Sequence, residues 1–242
     1  MIATRPTFLL LAVVAVGIGL ATAQTSGLTL DPLWAALTLA GAVSLHAAAN
    51  VHNDLADDLN GSDAANQDRQ FPFTGGSRMI QSGVTTPQAT QWLARWLYAL
   101  TIGIGLILLI PGGWPLLALG ALGLLMAWAY SAPTISLNAR GLGEIAVGIG
   151  FGILMPLGAD AVQRGELHNL PMFAGAGFAL MTSRETLHDS MAPLAGGFVR
   201  NQGALPKAGS LPGEGRQRRV RANPPAPFGR TAKDPFAALQ SL

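Results

Sequence analysis

The sequence has no cysteine and few charged residues. Without cysteine, disulfides and thiolate metal sites are excluded, so any metal must be held by oxygen or histidine ligands. Only 12% of the 242 residues are charged, against about a quarter in an ordinary soluble domain. Half are hydrophobic, and the mean hydropathy is +0.37. This balance indicates a membrane protein.

Apolar runs of the length that crosses a bilayer, about 20 residues, recur along the first three quarters of the chain. We predict five membrane-spanning helices and a marginal sixth, at about 7–27, 33–52, 92–110, 114–130, 142–162 and 170–182. The predicted fold class is therefore all-α, a polytopic transmembrane bundle of five to six spans. The first run also has the features of a signal peptide, but several more spans follow it.

The last quarter of the chain has a different composition. Residues 1–183 carry 6 basic and 9 acidic residues, a net charge of −3, whereas residues 184–242 carry 9 and 4, a net charge of +5. We predict a transmembrane domain over 1–182 and a disordered tail, rich in Arg, Pro and Gly, over 183–242. We interpret the "RQRRVR" of the tail as a solvated stretch, with contact to anionic lipid as the alternative.

The basic residues of the first part fall mainly on alternate loops. Arg5 precedes the first span, Arg69 and Arg78 lie in the loop 53–91, and Arg140 lies in the loop 131–141. The positive-inside rule places these segments on the cytoplasmic side. The two polar loops would then share one membrane face and could form one site.

A carboxylate cluster, "NVHNDLADDLNGSD", follows the uncharged second span directly. If the second helix continues beyond the bilayer surface, Asn50, Asn53, Asp54 and Asp57 lie at i, i+3, i+4 and i+7 on one face. Crowded carboxylates repel one another unless a cation is present, and Mg²⁺ is typically held by carboxylates, phosphate oxygens and water. The pattern suits a ligand with a phosphorylated head and an apolar tail. A hydrophilic loop that caps a helix is the alternative.

Two later stretches add polar candidates. In "DRQFPFTGGSRMIQSG", Arg69 and Arg78 flank a glycine pair, and such a loop can offer N–H groups and forked guanidinium donors to a phosphate. A flexible loop is the alternative. The second stretch, "YSAPTISLNARGLGE", holds Tyr130 and Arg140 around a turn between two spans. Tyr130 also suits an interfacial aromatic anchor.

Two residues within the spans are interpreted as structural. His46, the histidine within the second span, is expected to be a core residue bonded to a neighbour. Pro156, next to Met155 in the fifth span, is expected to mark a kink.

The motif "NDLADDLNGSD" resembles the first aspartate-rich motif of the UbiA superfamily of intramembrane prenyltransferases. Its spacing is similar to the variant typical of 1,4-dihydroxy-2-naphthoate polyprenyltransferases, N-D-x-x-D-x-x-x-G-x-D, which is fitted by Asn53, Asp54, Asp57, Gly61 and Asp63. The segments "ATRPTF", "GGSRMIQSG" and "YSAPTISLNARGLGE" also resemble this family in order and spacing. The resemblance runs from about residue 3 to about residue 182.

The resemblance implies a bundle of about nine spans that binds a prenyl diphosphate through Mg²⁺ and alkylates an aromatic ring. The resemblance further implies a role in menaquinone-type quinone biosynthesis, with 1,4-dihydroxy-2-naphthoate as acceptor. We therefore expect an integral, multi-pass protein of the bacterial cytoplasmic membrane, with these two substrates and the lipid bilayer as partners and no nucleic acid. The implied metal ligands are Asp54, Asp57 and Asp63; the implied catalytic residues are Asp54, Asp57 and Arg78; the implied substrate-binding residues are Asn50, Asn53, Arg69, Arg78, Tyr130 and Arg140.

The family also has a second aspartate-rich motif, followed by about three more helices. We find no counterpart after Thr182: Glu185 and Asp189 have i, i+4 spacing, which we interpret as coincidence, and the change in composition suggests a truncated or frame-shifted gene. The alternatives to an active prenyltransferase are thus an inactive remnant or a membrane binding protein that keeps half of a Mg²⁺–diphosphate site. A cation transporter is disfavoured because the acidic residues cluster in a loop and not in mid-span.

Overall fold

The computed structural model describes residues 6–60 and 79–183, and every element within them is helical. The predicted all-α fold class is confirmed. The tail predicted over 183–242 lies, apart from Ser183, outside the described residues. The helices are α1 (Pro6–Thr25), α2 (Pro32–Asn60), α3 (Pro87–Ser131), α4 (Gly143–Ile149), a π-helical turn (Gly150–Leu154), α5 (Met155–Arg164) and α6 (Leu170–Ser183).

Four stretches are long and apolar enough to cross a membrane: α1, α2, α3 and the continuous unit from α4 to α5, Gly143–Arg164. Their outer surfaces expose large apolar side chains, including Leu10, Trp96 and Leu106. Such a surface is stable only against lipid, because in water it would exceed the apolar patches that soluble proteins expose. The protein is therefore an integral membrane protein.

Helix starts are set by local side-chain capping. The Asp31 carboxylate accepts hydrogen bonds from the backbone N–H groups of Leu33 (2.8 Å) and Trp34 (3.1 Å), and Pro32 occupies the first helical position of α2. At α3, the Thr86 hydroxyl accepts from the Ala89 N–H, before a second proline at the same position. A capping side chain followed by proline fixes the start of a helix, because proline supplies the helical φ and needs no N–H partner.

Helix α2 continues beyond its predicted apolar span. It ends at Asn60, whereas the hydrophobic run predicts an end near residue 52. The extra two turns carry Asn53, Asp54 and Asp57 on a rigid helix. The prediction that these side chains share one helical face depends on this continuation of α2.

Helix α3 is a hairpin and not a single rod. At 45 residues it would measure roughly 68 Å, about twice a bilayer, but Gly113 breaks it with φ 65° and ψ −170°. Both arms return to the same end of α2: the Tyr98 hydroxyl lies 3.3 Å from His52 Nδ1, and the Ser131 hydroxyl lies 3.0 Å from Asn53 Oδ1. The two predicted spans, 92–110 and 114–130, are these arms.

The kink predicted at Pro156 is a π-helical turn that ends just before it. Proline has no N–H to donate to the carbonyl four residues earlier, and that carbonyl, of Gly152, packs against Gly175 of α6 so closely that a Cβ at Gly175 would overlap it. The glycines thus let α6 approach the backbone of the π-helical turn. On the other side, Gly19 of α1 packs in the same manner against Pro156.

One end of the bundle is joined by polar contacts between helix termini. The Arg164 guanidinium donates to both oxygens of the buried Asp160 carboxylate (2.8 and 3.0 Å), which also accepts from the Thr22 hydroxyl (3.1 Å). Gln163 bonds the backbone of Asp31 at the start of α2. These bonds tie α1, α2 and α5 together at the end opposite to Asp57.

Candidate active site

A cavity of about 610 Å³ lies between the helices. Along α2 its wall extends from Thr38 to Asp57, a length of roughly 28 Å at about 1.5 Å per residue. Most of the wall is aliphatic. The polar side chains concentrate at the Asp57 end, where the wall is formed by Asn50, Asn53, Asp57, Tyr130, Asn138 and Thr182. The opposite end is formed by small and aliphatic residues such as Val16, Leu116, Gly158, Ala159 and Val162.

We call the polar end of the cavity, at Asp57, the mouth. Three of the candidate side chains line it from one helix. Asn50, Asn53 and Asp57 lie at i, i+3 and i+7 of α2 and all contribute to the cavity wall. The Asn53 amide donates from Nδ2 to Asp57 Oδ2 at 2.8 Å. This bond turns one carboxylate oxygen toward α2 and holds the Asp57 side chain in a defined direction.

Asp54 has a different environment from Asp57. It is only 4% exposed and lies outside the cavity wall formed by the described residues. A helix advances about 100° per residue, so Asp54 points to the flank of the face that Asn50, Asn53 and Asp57 share. Asp58 points further away and accepts a hydrogen bond from Gln81 Nε2 at 3.0 Å on the exposed surface.

Ser131 is a site residue that the sequence does not reveal. It is the last residue of α3, is 5% exposed, and donates its hydroxyl to Asn53 Oδ1 across 78 residues of chain. It stands within the stretch "YSAPTISLNARGLGE", but a single serine at the end of an apolar span has many possible uses, so the sequence does not identify its partner. Only the antiparallel return of the α3 hairpin brings it to Asn53.

Tyr130 and Asn138 form the opposite wall of the mouth. The Asn138 N–H donates to the Tyr130 carbonyl at 3.1 Å, which closes the turn after α3. Gly143 packs beneath both residues: a Cβ there would lie 3.4 Å from the Tyr130 ring and 3.4 Å from Asn138 Oδ1. Glycine at this position thus lets α4 begin directly under the Tyr130 side chain.

Arg140 lies at the same end of the bundle as Asp57 but outside the cavity wall formed by the described residues. Its side chain is exposed, and it donates to the Thr134 carbonyl at 3.1 Å within its own loop. In this arrangement the Arg140 side chain lies on the protein surface beside the mouth and does not enter the cavity. The remaining candidates, Asp63, Arg69 and Arg78, lie outside the described residues.

The cavity body contains one imidazole. His46 lines the wall two turns below Asn53, is 8% exposed, and lies edge-on to Phe151 of the π-helical turn, with ring centroids 4.7 Å apart. Thr182 of α6 also lines the wall, but its hydroxyl donates to the carbonyls of its own helix. Among the described residues, the interior therefore presents a mostly aliphatic surface that includes the His46–Phe151 pair.

Within residues 6–60 and 79–183, no three His, Asp or Glu side chains converge as a ready-made metal site. The oxygen donors at the mouth nonetheless have the chemistry that Mg²⁺ requires, because this ion usually takes one or two carboxylates and completes its shell with phosphate oxygens and water. Asp57 and Asn50, whose side chains carry such oxygens, line the cavity.

The UbiA prenyltransferase family model matches residues 10–189. The match begins within the second turn of α1, covers the other helices described above and extends past Thr182. It therefore includes Glu185 and Asp189, which lie outside the described residues.

Two curated relatives give partial matches. A 1,4-dihydroxy-2-naphthoate octaprenyltransferase of Mycobacterium tuberculosis is 35% identical over 130 residues, which cover 53% of this chain and 42% of the relative. A UbiA prenyltransferase domain-containing protein 1 of Dictyostelium discoideum is 28% identical over 184 residues, which cover 74% of this chain and 54% of the relative. The chain spans about half the length of the curated relatives it matches. No solved structure matches it.

Proposed function

Because the chain belongs to the UbiA prenyltransferase family, we propose that it transfers a prenyl group from a prenyl diphosphate to an aromatic acceptor. The observation that carries the proposal is the shape of the cavity, a long and mostly aliphatic body whose described polar side chains concentrate at one end. A prenyl diphosphate has the same distribution of polarity.

The cavity body supports the binding of the prenyl tail. Each buried CH₂ contributes about 0.8 kcal/mol of transfer free energy, so several isoprene units along a wall of this length would hold the substrate without polar contacts. An aliphatic interior also excludes water, which protects a prenyl cation from hydrolysis. The tail thereby fixes the reactive carbon near the mouth.

The mouth supports the binding of the diphosphate. Asp57 and Asn50 would hold Mg²⁺ together with diphosphate oxygens, and Asp54 and Asp63 complete the set of carboxylates implied by the motif. When bound, Mg²⁺ supplies positive charge that stabilises the leaving diphosphate. Arg69 and Arg78 would add guanidinium donors to the same group. Asn53 keeps Asp57 oriented through its 2.8 Å hydrogen bond.

The acceptor is an aromatic ring, and 1,4-dihydroxy-2-naphthoate is our specific proposal. It is supported by the N-D-x-x-D spacing and by the name of the mycobacterial relative. Tyr130 and Arg140 belong to the mouth opposite α2 and would contact the acceptor or the diphosphate. A bacterial cytoplasmic membrane, with the mouth on the cytoplasmic side, is the matching location.

A protein that binds the substrates without turnover is the second candidate. The two candidates share the binding site and differ only in whether product forms.

The test is an assay of membranes that contain the full chain, with Mg²⁺, a prenyl diphosphate and 1,4-dihydroxy-2-naphthoate. We expect a prenylated product, and we expect Asp57→Ala to abolish it. Asp58→Ala is the matched control, because Asp58 is the next carboxylate along but faces Gln81 and not the cavity. Product in neither variant nor wild type, with diphosphate binding retained, would support the binding protein instead. Equal activity of the two variants would show that Asp57 is not needed for the reaction.

A further inference from the structure

The polar mouth contains a chain of two hydrogen bonds that joins two helices. Ser131 Oγ donates to Asn53 Oδ1 at 3.0 Å, and Asn53 Nδ2 donates to Asp57 Oδ2 at 2.8 Å. Ser131 and Asn53 are 5% and 8% exposed, so water can replace little of either bond. Both ends of the amide are thereby occupied by protein partners.

The direction of the chain is fixed by chemistry. An ionised carboxylate only accepts hydrogen bonds, so Asn53 must turn its NH₂ group toward Asp57. Its carbonyl oxygen then faces the end of α3, where a donor is required, because a buried carbonyl oxygen without a donor is destabilising. The Ser131 hydroxyl is that donor.

This hydroxyl does not follow the arrangement that several other hydroxyls in the described helices adopt. The hydroxyls of Thr38, Thr90 and Thr101 all donate to the carbonyl four residues earlier in their own helix, which is the common local arrangement for such side chains in helices. Ser131 instead bonds a side chain on another helix. Its hydroxyl thus forms a hydrogen bond between α3 and α2.

We propose that Ser131 is a positioning residue that fixes the Asp57 carboxylate at the cavity mouth through the amide of Asn53. The inference rests on the proposed function, in which Asp57 holds a divalent cation and a diphosphate. Without the hydroxyl, the Asn53 carbonyl loses its donor, the amide turns toward the cavity to find another, and Asp57 loses the bond that orients it. Residues that orient a metal ligand typically contribute about 10- to 100-fold to metal affinity.

The experiment uses the full chain in detergent, with Mn²⁺ as a spectroscopic probe and inorganic pyrophosphate in place of the substrate head. We expect Ser131→Ala to raise the half-saturating Mn²⁺ concentration by about tenfold, and Ser131→Thr, which keeps the hydroxyl, to restore most of the affinity. The matched control is Thr90→Val, which removes a buried hydroxyl that contacts only the neighbouring Thr86 carbonyl and Thr85 hydroxyl and lies outside the cavity wall.

Two further measurements separate positioning from a general loss of structure. In an Asn53→Ala background, Ser131→Ala should have no additional effect on Mn²⁺ binding, because the connection to Asp57 is already broken. In turnover assays, Ser131→Ala should raise the Mg²⁺ requirement and leave the KM of the aromatic acceptor unchanged.

Wild-type Mn²⁺ affinity in Ser131→Ala, or an equal loss with and without Asn53, would overturn the inference. If wild-type protein binds Mn²⁺ with pyrophosphate but forms no prenylated product, the proposed function fails and the Ser131 inference is decided by the binding series alone. If wild-type protein does not bind Mn²⁺ at all, both fail.

Discussion

The far end of the cavity predicts a limit on prenyl chain length that one substitution can shift. Gly158 belongs to the cavity wall at the end opposite to Asp57. A Cβ built on Gly158 meets only Leu116 Cδ1, at 3.7 Å, an ordinary van der Waals contact. A larger side chain at this position would therefore enter the cavity without first displacing backbone.

Gly158→Leu adds four side-chain carbons, nearly the size of one five-carbon isoprene unit. If the tail fills this end, the variant excludes about four buried carbons at roughly 0.8 kcal/mol each, or about 3 kcal/mol. Since 1.4 kcal/mol corresponds to tenfold, the longest accepted donor should lose roughly 100-fold in kcat/KM. A donor one unit shorter should be little affected.

The assay is a competition among prenyl diphosphates that differ by one isoprene unit, with the products separated by mass spectrometry. The product distribution of Gly158→Leu should shift by about one unit toward shorter chains. Gly17→Leu is the matched control, because Gly17 is exposed on the outer surface of α1 with nothing within 4 Å of its Cβ position. An unchanged distribution in an active Gly158→Leu variant would show that the tail does not reach this end.

Two contacts between helices predict changes in stability, each measured as the Tm of the detergent-solubilised chain. Gly19→Ala would press a methyl group into the α5 backbone and should cost about 1–3 kcal/mol, whereas Gly17→Ala, in open space, should gain up to about 1 kcal/mol of helix propensity. Equal Tm values for the two variants would contradict the close α1–α5 contact. Asp160→Ala leaves the Arg164 guanidinium without its buried carboxylate and should lower the free energy of unfolding by about 3 kcal/mol. The control Glu166→Ala, at an exposed position, should change the Tm little. A small effect of Asp160→Ala would show that water can take the place of the lost carboxylate.

Much of the fold could be predicted because the spans are long and locally determined. The apolar runs predicted both arms of α3 and the break between them, since Gly113 lies between Pro111 and Pro115 and can adopt a positive φ at no steric cost. The helical spacing of Asn50, Asn53 and Asp57 predicted their shared face, which the cavity wall confirms for these three residues.

The rest depends on tertiary contacts that no local pattern encodes. Ser131 reaches Asn53 only through the α3 hairpin. Asp54 has the spacing of the shared face but lies at its edge, and a periodicity argument cannot separate a wall residue from its flank. The sequence interprets His46 as a core residue, and it is buried. That it also borders the cavity beside Phe151 of the π-helical turn depends on packing that the local sequence does not encode.

The two ends of the bundle differ in the position of their polar side chains, and this difference predicts which end of the cavity binds the diphosphate. At one end, Asp160 is bonded to both Arg164 and Thr22, so its carboxylate oxygens already have protein partners and a ligand head there would have to displace an ion pair. At the other end, the side chains of Asn50 and Asp57 line a cavity of about 610 Å³, whose described wall does not include Asp160. Moving a diphosphate through the aliphatic body between them would require burying its charge without partners, which costs many kcal/mol. A lipid diphosphate should therefore enter with its head at the Asp57 end and its tail directed toward Gly158.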